Sequence, residues 1–305
     1  MAAIPSLSIV VIPLIGHDVL ANCLERFPLS DVECIVVLRE TMGAVKLWEH
    51  RFPSVHFVTT AHKPVPRRRE CGLRVATGDV VGIIEDTSWP DHGWCAAALS
   101  AFADPRAVAA GGPVRIASTL PSRYRALGSS EYGAFAVERP PSAASGGSIQ
   151  DRPVAALRVP GNNMAFRRAD LIAAIGGESG GVFEGSACAT LLSQGGRIVY
   201  HPRMSVTYAV CDRHNASLAT RLHHGRIYAA QVRGRTWCSR LIHLAKVPLL
   251  PIVLTARAMG SLSTSVSLRT KLPILFWLCL MESAWAIGEA VGTLSGAGES
   301  IREWR

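Results

Sequence analysis

Residues 66–94 have the sequence PRRRECGLRVATGDVVGIIEDTSWPDHGW, in which a basic segment, an apolar run and an acidic pair follow one another. The spacing predicts a helix over Arg67–Ala76 and, after a short turn, a β-strand over Val80–Ile84. The strand leads directly into Glu85 and Asp86. Polar groups at the carboxyl end of a strand face the crevice in which open α/β sheets bind their ligands. The segment therefore predicts both a parallel sheet and one edge of a binding site.

The same alternation of short apolar runs and helical patterns extends over the first hundred residues, and it is typical of βαβ units. The predicted strands are Ser8–Ile12, Cys34–Leu38 and Val55–Val58, and the predicted helices are His17–Phe27 and Thr41–Arg51. Beyond a Gly- and Pro-rich segment at Pro140–Gly147, predicted to be a loop, a helix is expected over Arg168–Ile175 and a strand over Arg197–Tyr200. The expected fold class is α/β, with a mostly parallel sheet flanked by helices.

Charge is distributed unevenly along the 305 residues, whose net charge is +9. Residues 213–281 contain ten Lys or Arg and no Asp or Glu, which leaves 22 of the 32 basic residues against 23 acidic ones elsewhere. The basic region is also rich in apolar runs, a combination that favours an anionic membrane surface over nucleic acid. We therefore expect no nucleic-acid partner.

Two apolar stretches, Leu241–Ala256 and Leu272–Leu294, lie in or directly after this basic region. The first is short for a membrane span and the second carries Glu282 and Glu289, which are costly in hydrocarbon. In-plane helices or a re-entrant hairpin are favoured over two spans, and a buried helical pair is the alternative. The apolar run of the N-terminus predicts a strand rather than a signal peptide, so the catalytic part is expected at the cytoplasmic face of the membrane.

Three later segments carry side chains suited to binding and proton transfer. Gly161, Asn162 and Asn163 follow Pro160 in a Pro-Gly-Asn-Asn run, in which the side-chain amides can both donate and accept hydrogen bonds. Glu184 precedes a helical pattern, and Arg226 lies on a basic helix expected over residues 221–235. Each segment also has a plainer explanation. Glu85-Asp86 could cap a helix, and the Gly-Asn-Asn run could be an ordinary turn. Glu184 could be a surface residue favoured by the helix dipole, and the basic helix could simply face solvent.

Residues 7–235 resemble glycosyltransferase family 2. The resemblance rests on the Arg-bearing helix, the Ala-x-Gly-Asp turn, the strand with its acidic end, and the Pro and Trp that follow. It implies a GT-A fold, a nucleotide-sugar donor and transfer with inversion, and it extends to a subgroup that makes bacterial envelope polysaccharides. Glu85 and Asp86 would hold a divalent metal, Mg²⁺ or Mn²⁺, and the diphosphate of the donor, with Arg69 near the nucleotide.

The other matching segments imply further roles. Gly161, Asn162 and Asn163 would line the donor-sugar and acceptor side of the cleft, Glu184 would be the general base, and Arg226 would reach the diphosphate. The resemblance implies a catalytic domain over 1–212, with a nucleotide-binding half (1–115) and an acceptor half (116–212). The basic charge and the apolar stretches predict a membrane-associating region over 213–305.

The chain departs from the family pattern at three places. Thr87 replaces a third carboxylate, Gly185 stands where members commonly have an Asp, and the second strand ends in Leu38-Arg39-Glu40 where relatives often present an Asp for the nucleoside, which leaves the identity of the nucleotide base open. The leading hypothesis is transfer of a sugar to a membrane-borne acceptor, polyprenyl-linked or polysaccharide. The alternatives are a catalytically impaired membrane scaffold or binding subunit, and a nucleotidyltransferase, which would need a Gly-rich basic loop. If Glu184 is not the base, Glu178 and Asp212 are the next carboxylates to consider.

Overall fold

The structure, a computed structural model, describes residues 5–43, 45–136, 153–176, 181–210, 218–230, 236–262 and 266–303. The expected loop Pro140–Gly147 and the carboxylates Glu178 and Asp212 lie outside the described residues. The chain divides into two compact units, the first comprising Met1–Arg115 and Pro140–Val210 and the second Ile116–Arg139 and Cys211–Arg305. Residues 116–136, which the sequence-based division kept with the catalytic domain, thus belong to the C-terminal unit of the structure.

The first unit is built on four adjacent parallel strands, in the order β3-β2-β1-β4. They are β1 (Leu7–Ile12), β2 (Glu33–Arg39), β3 (Val55–Thr60) and β4 (Val80–Glu85). All residues of β1 and β4 are buried, as expected for strands covered by helices on both faces. The predicted parallel sheet is confirmed, and its strands lie where the sequence predicts them to within two residues.

Seven shorter strands follow in the described part of the chain. They are β5 (Ser88–Pro90), β6 (Ala107–Gly111), β7 (Val114–Ile116), β8 (Val154–Ala156), β9 (Asn163–Arg167), β10 (Arg197–Tyr200) and β11 (Val206–Tyr208). The large sheet has the order β3-β2-β1-β4-β9-β6-β10-β8, and β5, β11 and β7 form a small second sheet. Strand β9 runs antiparallel between β4 and β6, with Asn163 opposite Ile84. This register brings the Gly-Asn-Asn run beside the acidic end of β4.

Helices cover the large sheet. Those of the first unit are α1 (His17–Leu24), α2 (Val45–Arg51), α3 (Val65–Val75), α4 (Trp94–Ala101), α6 (Arg168–Ile175) and α7 (Glu184–Ser193), and α5 (Ser122–Tyr132) belongs to the second unit. Helix α1 ends earlier than predicted because Arg26 and Phe27 close tighter turns onto the carbonyls of Cys23 and Leu24. Helix α2 starts late because Gly43 adopts φ +60°.

The second unit is helical over its described residues. Besides α5 it contains α8 (Leu218–Ala230), α9 (Trp237–Lys246), α10 (Leu250–Gly260) and α11 (Leu268–Ser295). Its core joins α5, α10 and α11 through Ala126, Leu127, Ala258, Ile274, Leu278 and Met281. Two helical segments, Trp237–Gly260 and Leu268–Ser295, are long and apolar enough to cross a membrane.

Both carboxylates of α11 are buried and paired inside the second unit. Glu282 meets Arg221 at 3.4 Å, and Glu289 meets His243 at 2.9 Å. Helices α8 and α11 come close to one another because glycines line their contact, and a Cβ at Gly288 would overlap the carbonyl of Leu222. The acidic residues that interrupt the apolar stretch therefore face protein.

Candidate active site

Residues of three predicted motifs meet at the carboxyl end of β4. Arg69, on α3, is only 3% exposed, and each of its two terminal nitrogens contacts two acceptors. Nη2 contacts Glu85 Oε1 at 3.0 Å and the Gly161 carbonyl at 3.0 Å. Nη1 contacts Glu184 Oε2 at 2.9 Å and the Val182 carbonyl at 3.2 Å. One guanidinium thus joins segments up to 115 residues apart.

Arg69 is held in its charged form by these partners. Burial alone would lower its pKa, but the carboxylates of Glu184 and Glu85 outweigh the cost of burial and raise the pKa of Arg69. The two carboxylates differ in exposure, since the side chain of Glu184 is 30% exposed and that of Glu85 is 10% exposed. Glu184 can therefore meet a ligand from solvent while it stays paired with Arg69.

Local backbone contacts place Glu184 beside Arg69. The amide of Val182 donates to the Pro66 carbonyl at 2.9 Å, which anchors the segment before α7 to the start of α3. Gly181 adopts φ +100°, and a Cβ there would come within 2.6 Å of the Pro66 backbone. The close approach that brings Glu184 to Arg69 therefore requires glycine at position 181.

Asp86 follows β4 directly and is completely buried. Its Oδ1 accepts a hydrogen bond from the Leu14 amide at 2.9 Å, whereas Oδ2 has no partner among the described residues. Burial raises the pKa of Asp86 to about 7, and Glu85 adds to this, while the amides of Leu14 and Ile15 act in the opposite direction. An unpartnered carboxylate oxygen of this kind is suited to a cation.

The residues present fit a divalent metal held jointly with a ligand. The described part of the chain contains no group of three or more His, Cys, Asp or Glu that could hold a metal by itself. Mg²⁺ is usually bound through one or two carboxylates together with substrate phosphates and water, so Glu85 and Asp86 suffice for the protein's share. The hydroxyl of Thr87 is buried beside them and has no partner within the described ranges.

Arg39 and Arg68 lie at the same edge of the sheet; neither was among the expected site residues, although the end of the second strand was noted as the place where relatives meet the nucleoside. Arg39 is the last residue of β2, and Arg68 Nη1 donates to the Pro13 carbonyl at 2.6 Å. Burial, followed by the positive charge of Arg39, lowers the pKa of Arg68 to about 10. The Nε atoms of both arginines are buried without a hydrogen-bonding partner in the part of the chain described.

The two asparagines have different surroundings. Asn163 is fully engaged, since its Oδ1 accepts from Trp94 Nε1 at 2.8 Å and its Nδ2 donates to the Met204 carbonyl at 2.7 Å. Asn162 Nδ2 donates to Ser88 Oγ at 2.7 Å, but its Oδ1 has no partner among the described residues. Asn163 thus joins elements of the first unit, and Asn162 keeps an acceptor for a ligand.

Two further positions complete the set expected from the sequence. Gly185 faces open space, with nothing within 4 Å of a Cβ built there. Because glycine stands at this position, Glu184 is the acidic residue in the first turn of α7. Arg226 lies on α8 of the second unit, where its Nε donates to the Gly296 carbonyl at 2.8 Å. Contact between Arg226 and a diphosphate stays a prediction.

No family model and no curated protein matches the chain. Among solved structures, the chain is similar to the mannosyltransferase PcManGT of Pyrobaculum calidifontis in complex with GDP-Man and Mn²⁺. The two sequences are 20% identical and the TM-score is 0.58; the match covers 96% of this chain and 88% of that one. It is also similar to S. aureus TarS in complex with UDP-GlcNAc, at 10% identity and a TM-score of 0.51, over 88% of this chain and 78% of that one.

A third similar structure is GalNAc-T7 with UDP, GalNAc and Mn²⁺, at 12% identity and a TM-score of 0.50. The match covers 77% of this chain and about half, 52%, of that one. At these identities the likeness concerns the fold. The mostly parallel sheet, its flanking helices and these neighbours together show that the chain has the GT-A fold of glycosyltransferases.

Proposed function

We propose that this protein is an inverting glycosyltransferase of the family 2 type, which transfers a sugar from a nucleoside-diphosphate sugar. The observation that carries the proposal is the position of Arg69, which joins the acidic end of β4, the Gly161 carbonyl and Glu184 at one point. In the family resemblance, these three segments correspond to the segment that binds the donor diphosphate, the segment that lines the donor sugar and the segment that carries the general base.

The leaving group and the base would act on opposite sides of this point. Glu85 and Asp86 would hold Mg²⁺ or Mn²⁺, which would neutralise charge on the departing diphosphate. Arg69 fixes one oxygen of Glu184, and the other, Oε1, lies 3.0 Å from a Cβ built on Gly161. An oriented carboxylate with a partly exposed side chain can accept the proton of an acceptor hydroxyl.

The remaining predicted contacts divide into binding and positioning roles. The Oδ1 of Asn162, which has no partner among the described residues, is the candidate contact to a hydroxyl of the donor sugar, with Gly161 allowing close approach of the backbone. Asn163 is a positioning residue, because its amide is occupied by protein partners. Arg226 is proposed as a contact to the diphosphate.

The acceptor is proposed to be membrane-borne, a polyprenyl-linked saccharide or a polysaccharide of the bacterial envelope, used at the cytoplasmic face. Support comes from the second unit, where α9, α10 and the turn between them expose large apolar side chains. These are Trp237, Leu241, Ile242, Leu249, Ile252 and Val253. The basic residues of 213–281 would contact anionic headgroups around them.

A membrane scaffold without activity is the second candidate, and Gly185 is the observation that favours it. A family member with Asp at this place would have a second carboxylate at the start of α7, whereas here the position is open. The scaffold would bind a donor without turning it over. A mass-spectrometric screen of nucleotide sugars for transfer or hydrolysis separates the two candidates.

The decisive experiment compares Glu184→Gln and Asp86→Asn in the full chain. Glu184→Gln keeps a hydrogen-bonding group toward Arg69, so we expect unchanged donor binding and a transfer rate about 10² to 10⁴-fold lower, the range of a general base. Asp86→Asn should instead abolish Mn²⁺-dependent binding of a nucleoside diphosphate in isothermal titration. Transfer at the wild-type rate by Glu184→Gln would remove Glu184 from the role of base.

A further inference from the structure

Two arginines that no step above uses lie at the edge of the sheet where β1, β2 and β4 end. Because β2 and β4 both run parallel to β1, their carboxyl ends meet at one edge. Arg39 ends β2, and Arg68 bonds the carbonyl of Pro13, which follows β1. Asp86 follows β4 and bonds the Ile12 carbonyl through its own amide. Arg39, Arg68 and Asp86 therefore share this edge.

The spacing of the strands separates the two ends of this edge. Strand β1 lies between β2 and β4, and neighbouring strands are about 4.8 Å apart, so the end of β2 is roughly 10 Å from the end of β4. If the diphosphate binds at Glu85 and Asp86, this distance is about the length of the ribose and the phosphate attached to it. Arg39 would then lie beyond the phosphates, on the side of the nucleobase.

The donor pattern of these arginines restricts the ligand. Arg68 is buried, Arg39 is partly buried, and the buried Nε of each has no partner among the described residues. A guanidinium only donates hydrogen bonds, through a planar fork that fits two adjacent acceptors. Their like charges repel one another, so an electron-rich partner between or beside them would be stabilising.

We infer that Arg39, supported by Arg68, forms the base-recognition end of the donor site and selects guanine over uracil. Guanine offers adjacent acceptors at O6 and N7, whereas uracil separates its two carbonyl acceptors by the N3 donor, and adenine has a donor beside N7. This inference rests on the proposed function, because it assumes a nucleoside diphosphate at Glu85 and Asp86.

The test measures the affinities of GDP, UDP, CDP and ADP for the full chain with Mn²⁺, by isothermal titration. We expect GDP to bind about 10- to 100-fold more tightly than UDP, the discrimination of a good bidentate pair. Arg39→Lys keeps the charge and loses the fork, so it should remove most of this preference while UDP affinity changes little. Arg74→Lys, on the exposed side of α3, is the matched control and should keep the preference.

The outcomes separate this inference from the proposed function. Binding of no nucleoside diphosphate would overturn both. Equal binding of GDP and UDP, or CDP binding as tightly as GDP, would overturn the assignment of guanine and leave the proposed function standing. An equal loss for all four nucleotides in Arg39→Lys would show a phosphate contact and would also overturn it. Circular dichroism of the variant checks that the fold is kept.

Discussion

Gly161 shows how closely single residues constrain the candidate active site. Its carbonyl accepts from Arg69, and a Cβ at this position would lie 3.0 Å from Glu184 Oε1 and 3.2 Å from Arg69 Nη2. Both distances are shorter than ordinary contacts between such atoms. The absence of a side chain at position 161 therefore allows the ion pair between Arg69 and Glu184 to form where it does.

Gly161→Ala is predicted to reduce transfer without abolishing donor binding. The added methyl group displaces the Glu184 carboxylate by a few tenths of an ångström, and misplacing a catalytic group by about 1 Å can cost about 10²-fold in rate, so a loss of about 10-fold is expected. Steady-state kinetics and titration of the donor measure the two effects. Gly185→Ala adds the same group one residue from Glu184 in open space and is the control. Equal rates for the two variants would contradict this role of Gly161.

The sequence predicted that certain residues lie near one another better than it predicted their individual contacts. Glu85, Glu184 and Arg69 were all expected near the donor, and the structure brings them together. That Arg69 bonds both carboxylates could not be predicted, because partners up to 115 residues apart depend on the tertiary course of the chain. Arg39 and Arg68 were given no role, because Arg39 stands where the family pattern has an acidic residue and Arg68 lies in a run of three arginines whose individual contacts depend on the tertiary structure.

At the scale of elements, Glu33 holds the amino ends of the parallel strands, at the edge opposite the site. This first residue of β2 accepts hydrogen bonds from the Ser8 hydroxyl of β1 and from the amide and hydroxyl of Thr77, the latter two at 2.9 and 3.0 Å. Ser8 in turn accepts from the Gly78 amide at 2.7 Å. One carboxylate thus connects β1, β2 and the turn before β4.

Glu33→Gln is predicted to destabilise the fold by about 1 kcal/mol, a modest value because the carboxylate is partly exposed to solvent. Although its partial burial acts to raise the pKa of Glu33, the hydrogen bonds from Ser8 and Thr77 lower it below its ordinary value. The stabilisation is therefore present above the ordinary pKa and is lost as the pH falls through the lowered one.

Urea unfolding of Glu33→Gln and wild type, at pH 7 and at successively lower pH, measures this difference. The gap between the two should be largest at neutral pH and close as the pH falls below about 4. Glu25→Gln, at an exposed carboxylate paired with Arg51, is the control and should stay near wild type. If the difference in unfolding free energy between the two proteins is independent of pH, the charge of Glu33 contributes nothing to stability.

The order of the strands within the sheet was less predictable than the positions of helices and strands along the chain. Local patterns located α6 and β10 to the residue, since periodicity and propensity are local properties. The antiparallel insertion of β9 between β4 and β6 could not be predicted, because pairing between strands far apart in the chain leaves no local pattern. This insertion is what brings Asn162 and Asn163 to the site.

At the scale of the whole molecule, the apolar composition is explained by the surface of the second unit. In α11 of this unit, Glu282 and Glu289 are buried against protein, whereas Leu272 and Phe276 are exposed. The helices α9 and α10 are exposed or half-buried over most of their length. A chain shortened before α9 would be a poor test of this surface, because it would also remove the core of α11 against α5. Substitutions on the exposed face leave that core intact.

The double variant Leu249→Asn/Ile252→Asn is predicted to weaken binding to anionic vesicles. Both side chains are more than half exposed, at 58% and 69%, so folding should not depend on them. Transfer of a Leu or Ile into an apolar environment contributes about 1.5–3 kcal/mol, and losing two should lower vesicle affinity by about 10² to 10⁴-fold. Flotation with vesicles of phosphatidylglycerol and phosphatidylcholine measures the bound fraction.

Two comparisons make this last prediction specific to the second unit. Leu47→Asn/Leu157→Asn removes side chains of the first unit that are even more exposed, at 72% and 80%, and should float like wild type. Raising the salt concentration should weaken wild-type binding to anionic vesicles, because the basic residues of 213–281 act through screened charges. If the wild-type chain stays in the soluble fraction with anionic vesicles at low salt, the apolar face of α9 and α10 does not bind lipid, and the proposed membrane-borne acceptor loses its main support.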